Sequence, residues 1–254
     1  MHILISNDDG ISAPGLLALT IAMKQFGKVT VIGPEENQSA NGHRKTLGKP
    51  LRVNEVFLAD GTPAYSTDGA PADCVALAML GIVKEPVDLV VSGINRGANL
   101  GQDITYSGTL AAAFEGTIHH KPSLAFSLNN RAYNADYSTA ATIATRVIRQ
   151  VIHHHLQIPP MTLLSVNVPG VPLDQIAGTQ ITRQGLSVYR DALVERVDPF
   201  GRPYYWIGGQ EPTGDQNQVG TDIWAIHNNY VSITPIQLDL TAYQLLDTFK
   251  EWDL

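Results

Sequence analysis

Short apolar runs alternate with helical patterns along the first two-thirds of the chain, and this alternation limits the possible folds more than any other feature. Each run is rich in Val, Ile or Leu and bounded by Gly, Pro or Asn, as in strands buried on both faces of a parallel sheet. Such strand–helix units join through right-handed crossovers. We therefore predict an α/β fold, with a doubly wound and mostly parallel sheet between layers of helices. The predicted strands are Ile3–Ser6, Lys28–Gly33, Asp88–Ser92, Ser123–Ser127 and Thr162–Val168, and the predicted helices are Pro14–Phe26, Pro71–Leu80, Thr109–His119 and Ser138–His154.

Two parts of the sequence depart from this rhythm. Arg52–Leu58 and the turn after it predict a β-hairpin insertion behind the second strand. Further on, β patterns at Gln180–Glu195 and Pro203–Ile207 flank a turn that contains Pro and Gly, which predicts a long hairpin. The last predicted elements are a polar loop at Gly208–Gly220, a strand at Tyr230–Ile233 and a helix at Thr241–Glu251.

The C-terminal part of the chain is a candidate for self-association. We treat residues 1–254 as one α/β domain, in which approximately 175–254 forms a β-rich C-terminal arm with a terminal helix. Long extended arms expose strand edges, and a second copy of the chain can cover them. We therefore expect a homodimer or homotetramer joined through the arms.

The composition excludes some classes of function. Hydrophobic residues make up 44% of the chain and charged residues 16%, and the net charge is −7. This charge gives no basic surface for binding duplex DNA or RNA, although a bound cation can offset the phosphate of a single nucleotide. Cys74 is the only cysteine, which suits a reducing compartment. We see no leader segment and no apolar run long enough to span a bilayer, so we expect a cytoplasmic protein without a membrane anchor.

Two adjacent carboxylates, Asp8 and Asp9, follow the first predicted strand. Neighbouring acids repel each other, which raises the cost of keeping both ionised. Such a pair at the end of a buried strand is understandable if a cation binds there, and oxygen ligands favour a hard ion such as Mg²⁺ or Mn²⁺. The alternative interpretation is a polar turn with a helix cap behind it. The pair alone does not decide between the two.

Two further oxygen-bearing side chains are predicted at the same edge of the sheet. Ser39 lies in the loop after the second strand, and Asn95 lies just after the third. Ligands of open α/β sheets bind outside the carboxyl ends of the strands, so carboxylate, hydroxyl and amide oxygens from three loops can meet there on one cation. Either residue alone also fits ordinary loop chemistry. Their shared location favours a metal site.

The segment Ser107-Gly108-Thr109 stands directly before a helical run and is a candidate phosphate site. Free backbone N–H groups at a helix start, beside a glycine and hydroxyl groups, bind an anion of phosphate size. The alternative is a simple Ser or Thr cap. The chain has no Walker A motif and no G-x-G-x-x-G after a strand, so nucleotide binding through those motifs is excluded.

Together these motifs resemble the SurE family, whose members act as nucleoside-monophosphate phosphatases. Several long motifs in the family's order carry the resemblance, which covers nearly the whole chain and is least distinct at 175–220. The matching stretches are Ile3–Gly10, Gly33–Ala40, Ser66–Val75, Val91–Asn99, Tyr106–Glu115, Ser165–Pro169 and Thr221–Pro235.

The resemblance implies a Rossmann-like fold of the SurE type, one divalent cation per subunit (Mg²⁺ or Mn²⁺), and assembly through C-terminal arms. It also implies hydrolysis of nucleoside 5′- and 3′-monophosphates to nucleoside and phosphate. The residues expected to hold the metal are Asp8, Asp9, Ser39 and Asn95, of which Asp8 and Asp9 are also the candidate catalytic residues. The candidate substrate-binding residues are Ser107, Gly108, Thr109 and Asn99.

Other classes of function remain open. A phosphorylatable receiver domain also ends its first strand in an acidic pair, and Lys121-Pro122 resembles its lysine–proline signature. Its acceptor aspartate, however, should end the third strand, where this chain has Asn95. A haloacid-dehalogenase-type phosphatase would need Asp-x-Asp in place of Asp8-Asp9. A catalytically silent regulator that binds nucleotide or metal is the remaining alternative.

Overall fold

A nine-stranded sheet lies at the centre of the computed structural model, which describes residues 1–155 and 157–252, and a separate two-stranded sheet lies outside it. The strands are β1 (His2–Ser6), β2 (Lys28–Pro34), β3 (Val53–Phe57), β4 (Pro63–Thr67), β5 (Leu89–Arg96), β6 (Ser123–Asn129), β7 (Thr162–Pro169), β8 (Gly178–Ile181), β9 (Ser187–Val197), β10 (Pro203–Gly214) and β11 (Tyr230–Gln237). The helices are α1 (Pro14–Met23), α2 (Pro71–Leu77), α3 (Gly108–Ile118), α4 (Ser138–His153), α5 (Asp222–His227) and α6 (Leu246–Lys250).

The strand order creates a crevice in the middle of the sheet. The order is β3-β4-β2-β1-β5-β6-β7-β11-β8, and β1 pairs in parallel with β2 on one side and β5 on the other. The chain therefore leaves β1 in one direction and later returns to its opposite side. Such a reversal is the topological switch point, where open α/β sheets bind ligands outside the carboxyl ends of their strands. The acidic pair follows β1 at this point.

Helices cover both faces of the parallel strands. Helices α1 and α4 contact each other on one face, and α2 and α3 contact each other on the opposite face. Side chains alternate between these faces along β1, so Ile3 and Ile5 join the core cluster below α1 while Leu4 joins the one below α2. All three are fully buried. The predicted doubly wound, mostly parallel α/β fold is confirmed.

The first four helices begin close to where the sequence indicates. Pro14 and Pro71 occupy the first turns of α1 and α2, where the missing N–H of proline costs no hydrogen bond. Asp73 Oδ2 accepts a hydrogen bond from Ala70 N at 2.9 Å, which ties down the start of α2. Ser107 Oγ accepts one from Leu110 N at 3.1 Å and caps α3.

The C-terminal region differs from the expectation. Strands β8 and β11 belong to the central sheet, so the hairpin formed by β9 and β10 is the part of 175–254 that builds a sheet of its own. The predicted polar loop at Gly208–Gly220 is wrong over its first half, because β10 continues to Gly214 by pairing with β9 beyond a register shift. The predicted terminal helix is shorter than expected, since a 3₁₀ turn at Tyr243–Leu245 precedes α6.

None of the helices in 1–155 and 157–252 is both long enough and apolar enough to cross a membrane.

Candidate active site

The acidic pair lies at the switch point, with its two carboxylates in different surroundings. Asp8 is almost fully buried, and its Oδ1 accepts a hydrogen bond from the hydroxyl of Thr109 at 2.5 Å. Asp9 is less buried, and its Oδ2 accepts a hydrogen bond from the backbone N–H of Arg96 at 2.9 Å. Its Oδ1 accepts a longer one from Asn37 Nδ2 at 3.3 Å. Neither carboxylate takes part in a salt bridge within the described part of the chain.

Burial raises the pKa of both carboxyl groups. Loss of hydration raises the pKa of Asp8 to about 6, against the opposing hydrogen bond from Thr109 and with a further increase from the charge of Asp9. Loss of hydration also raises the pKa of Asp9, while the N–H and the guanidinium of Arg96 oppose the shift. A pair of buried acids with few compensating charges is an environment that a divalent cation would stabilise.

A β-bulge lies directly before Asn95 near the end of β5. In the pairing of β5 with β6, two residues lie between Ser92 and Asn95 on β5 where β6 has one, which is the geometry of a bulge. Gly93 is needed there, because its φ is +122° and a Cβ would lie 2.2 Å from the carbonyl oxygen of Phe126. Asn95 therefore lies inside β5 near its end, and not after the strand as we expected.

The side chain of Asn95 is held in one orientation. Its Nδ2 donates a hydrogen bond to the carbonyl of Gly97 at 2.9 Å, which leaves the amide oxygen available to another partner. Ser39 comes from the loop after β2, where the carbonyl of Asp8 accepts a hydrogen bond from the N–H of Gln38 at 2.8 Å. The backbone of the acidic pair thus fixes the loop that carries Ser39.

The start of α3 packs directly against Asp8. A Cβ added to Gly108 would lie 2.7 Å from the Cβ of Asp8 and 3.0 Å from its Oδ2, so only glycine allows this approach. Thr109 is fully buried and gives its hydroxyl to Asp8, so it positions the carboxylate and does not line the cleft. Ser107 caps the helix and does line the cleft. The segment thus contains both the anticipated cap and a surface open to ligand.

One cleft of about 790 Å³ brings most of the predicted site residues together, and its volume is in the range of small-molecule sites. It is lined by Asp8, Ser39, Asn95, Asn99 and Ser107 from the predicted set. Asp9, by contrast, lines a neighbouring cleft of about 260 Å³. Asn99 is fixed at the cleft wall, because its Nδ2 donates to Ser127 Oγ and its N–H to Asn167 Oδ1, both at 2.8 Å.

The donor set fits a hard divalent cation. Two carboxylates, one hydroxyl and one amide oxygen are all oxygen ligands, as Mg²⁺ and Mn²⁺ prefer, and so few protein ligands leave positions for water and substrate. No group of three or more His, Cys, Asp or Glu side chains suited to a metal occurs in the described ranges. The neutral oxygens of Ser39 and Asn95 are the predicted candidates to complete such a site.

Comparison with known proteins identifies the family of this chain. The family model described as "Survival protein SurE" matches residues 3–191. The chain belongs to the SurE family. A relative from Herpetosiphon aurantiacus, named 5′-nucleotidase SurE, is 52% identical over 242 residues, which cover 95% of this chain and 94% of that protein. A relative of the same name from Chloroflexus aggregans is 47% identical over 254 residues, covering 100% and 99%.

A solved structure of the family agrees with the fold. The crystal structure of the SurE protein from Aquifex aeolicus matches this structure with a TM-score of 0.85 at 41% identity, covering 98% of each chain. The resemblance stated from the sequence motifs is therefore confirmed at the level of family and fold, and the likeness includes the C-terminal region where the motifs were least distinct.

Some residues at the cleft were missed by the sequence reasoning. Arg131, Asp103 and Ile207 all line the main cleft. Arg131 follows the end of β6, so the rule that drew attention to Asn95 would also have found it. Asp103 lies in a 3₁₀ turn and Ile207 in β10, and no local sequence pattern marks either as facing the cleft.

Proposed function

We propose that this chain is a metal-dependent nucleotidase, which hydrolyses nucleoside 5′-monophosphates, and 3′-monophosphates as well, to nucleoside and phosphate. The observation that carries the proposal is that Asp8, Ser39, Asn95 and the start of α3 meet in one cleft at the switch point of the sheet. The relatives named 5′-nucleotidase SurE support the choice of nucleotides over other phosphate esters.

The proposed cation is Mg²⁺ or Mn²⁺, one per subunit, and Asp8, Asp9, Ser39 and Asn95 would hold it. Such a cation supplies Lewis-acid chemistry, since it polarises a phosphoryl oxygen and makes a water molecule a better nucleophile. Water attacks phosphorus, the bond from phosphorus to the ester oxygen breaks, and the nucleoside leaves as an alcohol. One of the two carboxylates would accept the proton released by the water and pass it to the ester oxygen, so that the nucleoside leaves protonated.

The protein's own groups position the phosphate during this step. Ser107 and the N–H of Gly108 are at the start of α3, where the helix dipole favours negative charge. The transferring phosphoryl group spreads charge over its oxygens, and fixed donors stabilise that charge without reorganising. Thr109 and Gly108 act on Asp8 itself, because one bonds its carboxylate and the other lets the helix pack against it. Asn99 forms part of the substrate-facing wall.

We further propose that the enzyme works in the cytoplasm as a homodimer or homotetramer and binds no duplex nucleic acid. Exposed apolar side chains on the β9–β10 hairpin support association, for example Phe200 and Trp206. The net charge of −7 argues against binding a nucleic-acid backbone.

Phosphate release from a panel of nucleoside monophosphates tests the function. Wild type, Asp8→Asn and the exposed control Asp174→Asn would each be assayed with Mg²⁺, with Mn²⁺ and with excess chelator. We expect release by wild type and the control with metal only. Release that persists in chelator would overturn the metal dependence, and full release by Asp8→Asn would overturn the site. A protein that binds nucleotides without releasing phosphate would be the silent regulator, and a stable phosphoryl group on an aspartate would indicate a receiver.

A further inference from the structure

We propose that Asp103 and Arg131 form a subsite for the nucleoside part of the substrate, at the junction of the main cleft with a second cleft. The inference rests on the proposed nucleotidase function and adds to it the residues that recognise the nucleoside. The predicted site residues account for the cation and the phosphate, and they leave the larger part of a nucleotide without a binding surface.

The two clefts adjoin each other at this junction. The main cleft contains Asp8, Ser39 and Asn95 of the proposed metal site, and the second cleft has a volume of about 400 Å³. Ala98, Asp103 and Arg131 line both of them. A substrate whose phosphate lies against Ser107 would therefore occupy the same cleft as Asp103 and Arg131.

The exposed side chain of Arg131 passes close to Gly97 at the junction. Gly97, at a φ of +110°, lies beneath it, and a Cβ there would be 3.3 Å from Nε and 3.4 Å from Cγ of Arg131. The guanidinium makes no salt bridge in the parts of the chain that the structure describes. A guanidinium offers five N–H donors and also stacks on flat rings, so it can bind either a hydroxyl or a nucleobase.

Asp103 supplies the complementary acceptor. Its Oδ1 is buried and accepts no hydrogen bond from the described residues. Loss of hydration raises the pKa of this carboxyl group, the charge of Arg131 opposes that shift, and Asp222 adds to it. A partly buried carboxylate with an unpaired oxygen is costly, and a ligand that donates a hydrogen bond to the exposed part of Asp103 removes some of this cost.

The chemistry of the pair selects a neutral polar ligand. A second phosphate would be attracted by Arg131 but repelled by Asp103, whereas ribose hydroxyls and the edge of a base present donors and acceptors together. Beyond the junction, Asn129 and Asn130 stand beside the apolar side chains of Leu100 and Ile223. The larger share of this cleft's surface is polar, which suits the hydroxyl groups and ring edges of a nucleoside.

Comparison of two substrates tests the subsite. AMP carries a nucleoside, and p-nitrophenyl phosphate is a phosphate ester without one. For Arg131→Met and Asp103→Asn, we expect kcat/KM for AMP to fall about tenfold or more, and kcat/KM for p-nitrophenyl phosphate to stay within about threefold. Arg149→Met, an exposed arginine on α4, is the matched control and should change neither. Equal losses for both substrates would indicate a merely structural role, and no loss for AMP would also overturn the proposal.

Binding measurements separate this proposal from the proposed function. Calorimetry in excess chelator, where we expect no hydrolysis of AMP, should show that Arg131→Met weakens binding of AMP about tenfold and leaves that of inorganic phosphate unchanged. If wild type released no phosphate from AMP, the proposed function would fail while this binding difference still supported the subsite. Unchanged AMP binding in the variant would overturn the subsite even in an active enzyme.

Discussion

The carboxyl edge of the central sheet and the β9–β10 hairpin differ in what covers their side chains. At the edge, Asp8 is 3% exposed and receives contacts from the loop after β2 and from α3. On the hairpin, Trp206 is 64% exposed and Phe200 is 80% exposed. The edge is therefore organised by the chain's own contacts, whereas the hairpin presents apolar surface that another molecule can cover. We expect substitutions at the edge to alter chemistry and stability, and those on the hairpin to alter assembly.

The largest effect is expected from Asp8→Asn. Removing one charged ligand of the proposed cation should lower phosphate release from AMP by about 10³-fold or more, because a metal-dependent mechanism draws several kcal/mol of transition-state stabilisation from the cation. The same variant should be more stable than wild type in chelator at pH 7. The pKa of Asp8 is raised to about 6 in the folded state, so its ionisation opposes folding above that pH.

Thermal unfolding in chelator tests whether Asp8→Asn is more stable than wild type. The difference in thermal stability between Asp8→Asn and wild type should shrink as pH falls from 6 towards 3.8. Over this range Asp8 is protonated in folded wild type but still ionised in the unfolded chain. A variant that is inactive and also less stable at pH 7 would show that the carboxylate is structural.

Gly108→Ala should have the next largest effect. Its Cβ would collide with the Cβ of Asp8 at 2.7 Å, so α3 or the acidic pair must shift. A displacement near the reacting groups costs about 10²-fold in rate. Gly208→Ala on β10 is the matched control, because no atom lies within 4 Å of the added methyl group. Initial rates of AMP hydrolysis compare the two. If Gly108→Ala and Gly208→Ala hydrolysed AMP at equal rates, the packing of α3 against Asp8 would be less tight than the structure indicates.

Glu115→Gln tests how α3 holds the loop that carries Ser39. Burial alone would raise the pKa of Glu115, but hydrogen bonds from His43 and Lys45 lower it to about 2. A carboxyl group whose pKa is lowered on folding stabilises the folded state when it is ionised. This contribution of Glu115 is present above about pH 4.5 and is lost as pH falls through 2. Because Lys45 is partly exposed, we expect the variant to lose about 1–2 kcal/mol at pH 7.

Urea unfolding at several pH values checks this expectation. The difference between wild type and Glu115→Gln should narrow below about pH 4.5, since wild-type Glu115 then begins to lose its charge advantage. Glu85→Gln, which removes an exposed partner of Lys28, should leave the urea midpoint unchanged. If the difference in stability between wild type and Glu115→Gln were the same at every pH, it would arise from packing and not from the charge of Glu115.

The smallest effect on the isolated chain is expected from Trp206→Ser on the hairpin. We predict that the free energy of unfolding changes by less than about 0.5 kcal/mol, because the side chain is mostly exposed. The mass in solution, measured by light scattering, should nevertheless fall from dimer or tetramer towards monomer. Phe57→Ser, an exposed aromatic on the outer strand β3, should leave the mass unchanged. A monomeric wild type would remove the role proposed for the hairpin.

The sequence predicts the parts of this molecule in which local pattern and burial agree. The strands that became β1, β2, β5, β6 and β7 are continuous apolar runs, and their ends locate Asp8 and Asn95 at one edge. The pattern fails where pairing with distant strands decides the structure. Strand β4 has the mixed sequence Pro63–Thr67 and forms because β2 and β3 flank it, and the short β8 forms beside β11.

The details of the site depended on tertiary contacts that no motif contains. Thr109 looked like a phosphate-binding hydroxyl, but the packing of α3 against β1 turns it towards Asp8. The sequence predicts Asn95 after the strand because Gly93 indicates a strand end. In the structure Gly93 belongs to a bulge, and β5 continues beyond it to Arg96. Arg131 and Asp103 are separated in sequence and meet through the fold alone.

Direct titration with Mn²⁺ tests the central claim that the carboxyl edge is a metal site. Calorimetry of metal-free wild type should show one ion bound per chain, and Asp8→Asn should lose that binding while Asp174→Asn retains it. Because the readout is binding and not turnover, it is independent of the choice of substrate. Binding of Mn²⁺ by Asp8→Asn with the stoichiometry and affinity of wild type would contradict the account.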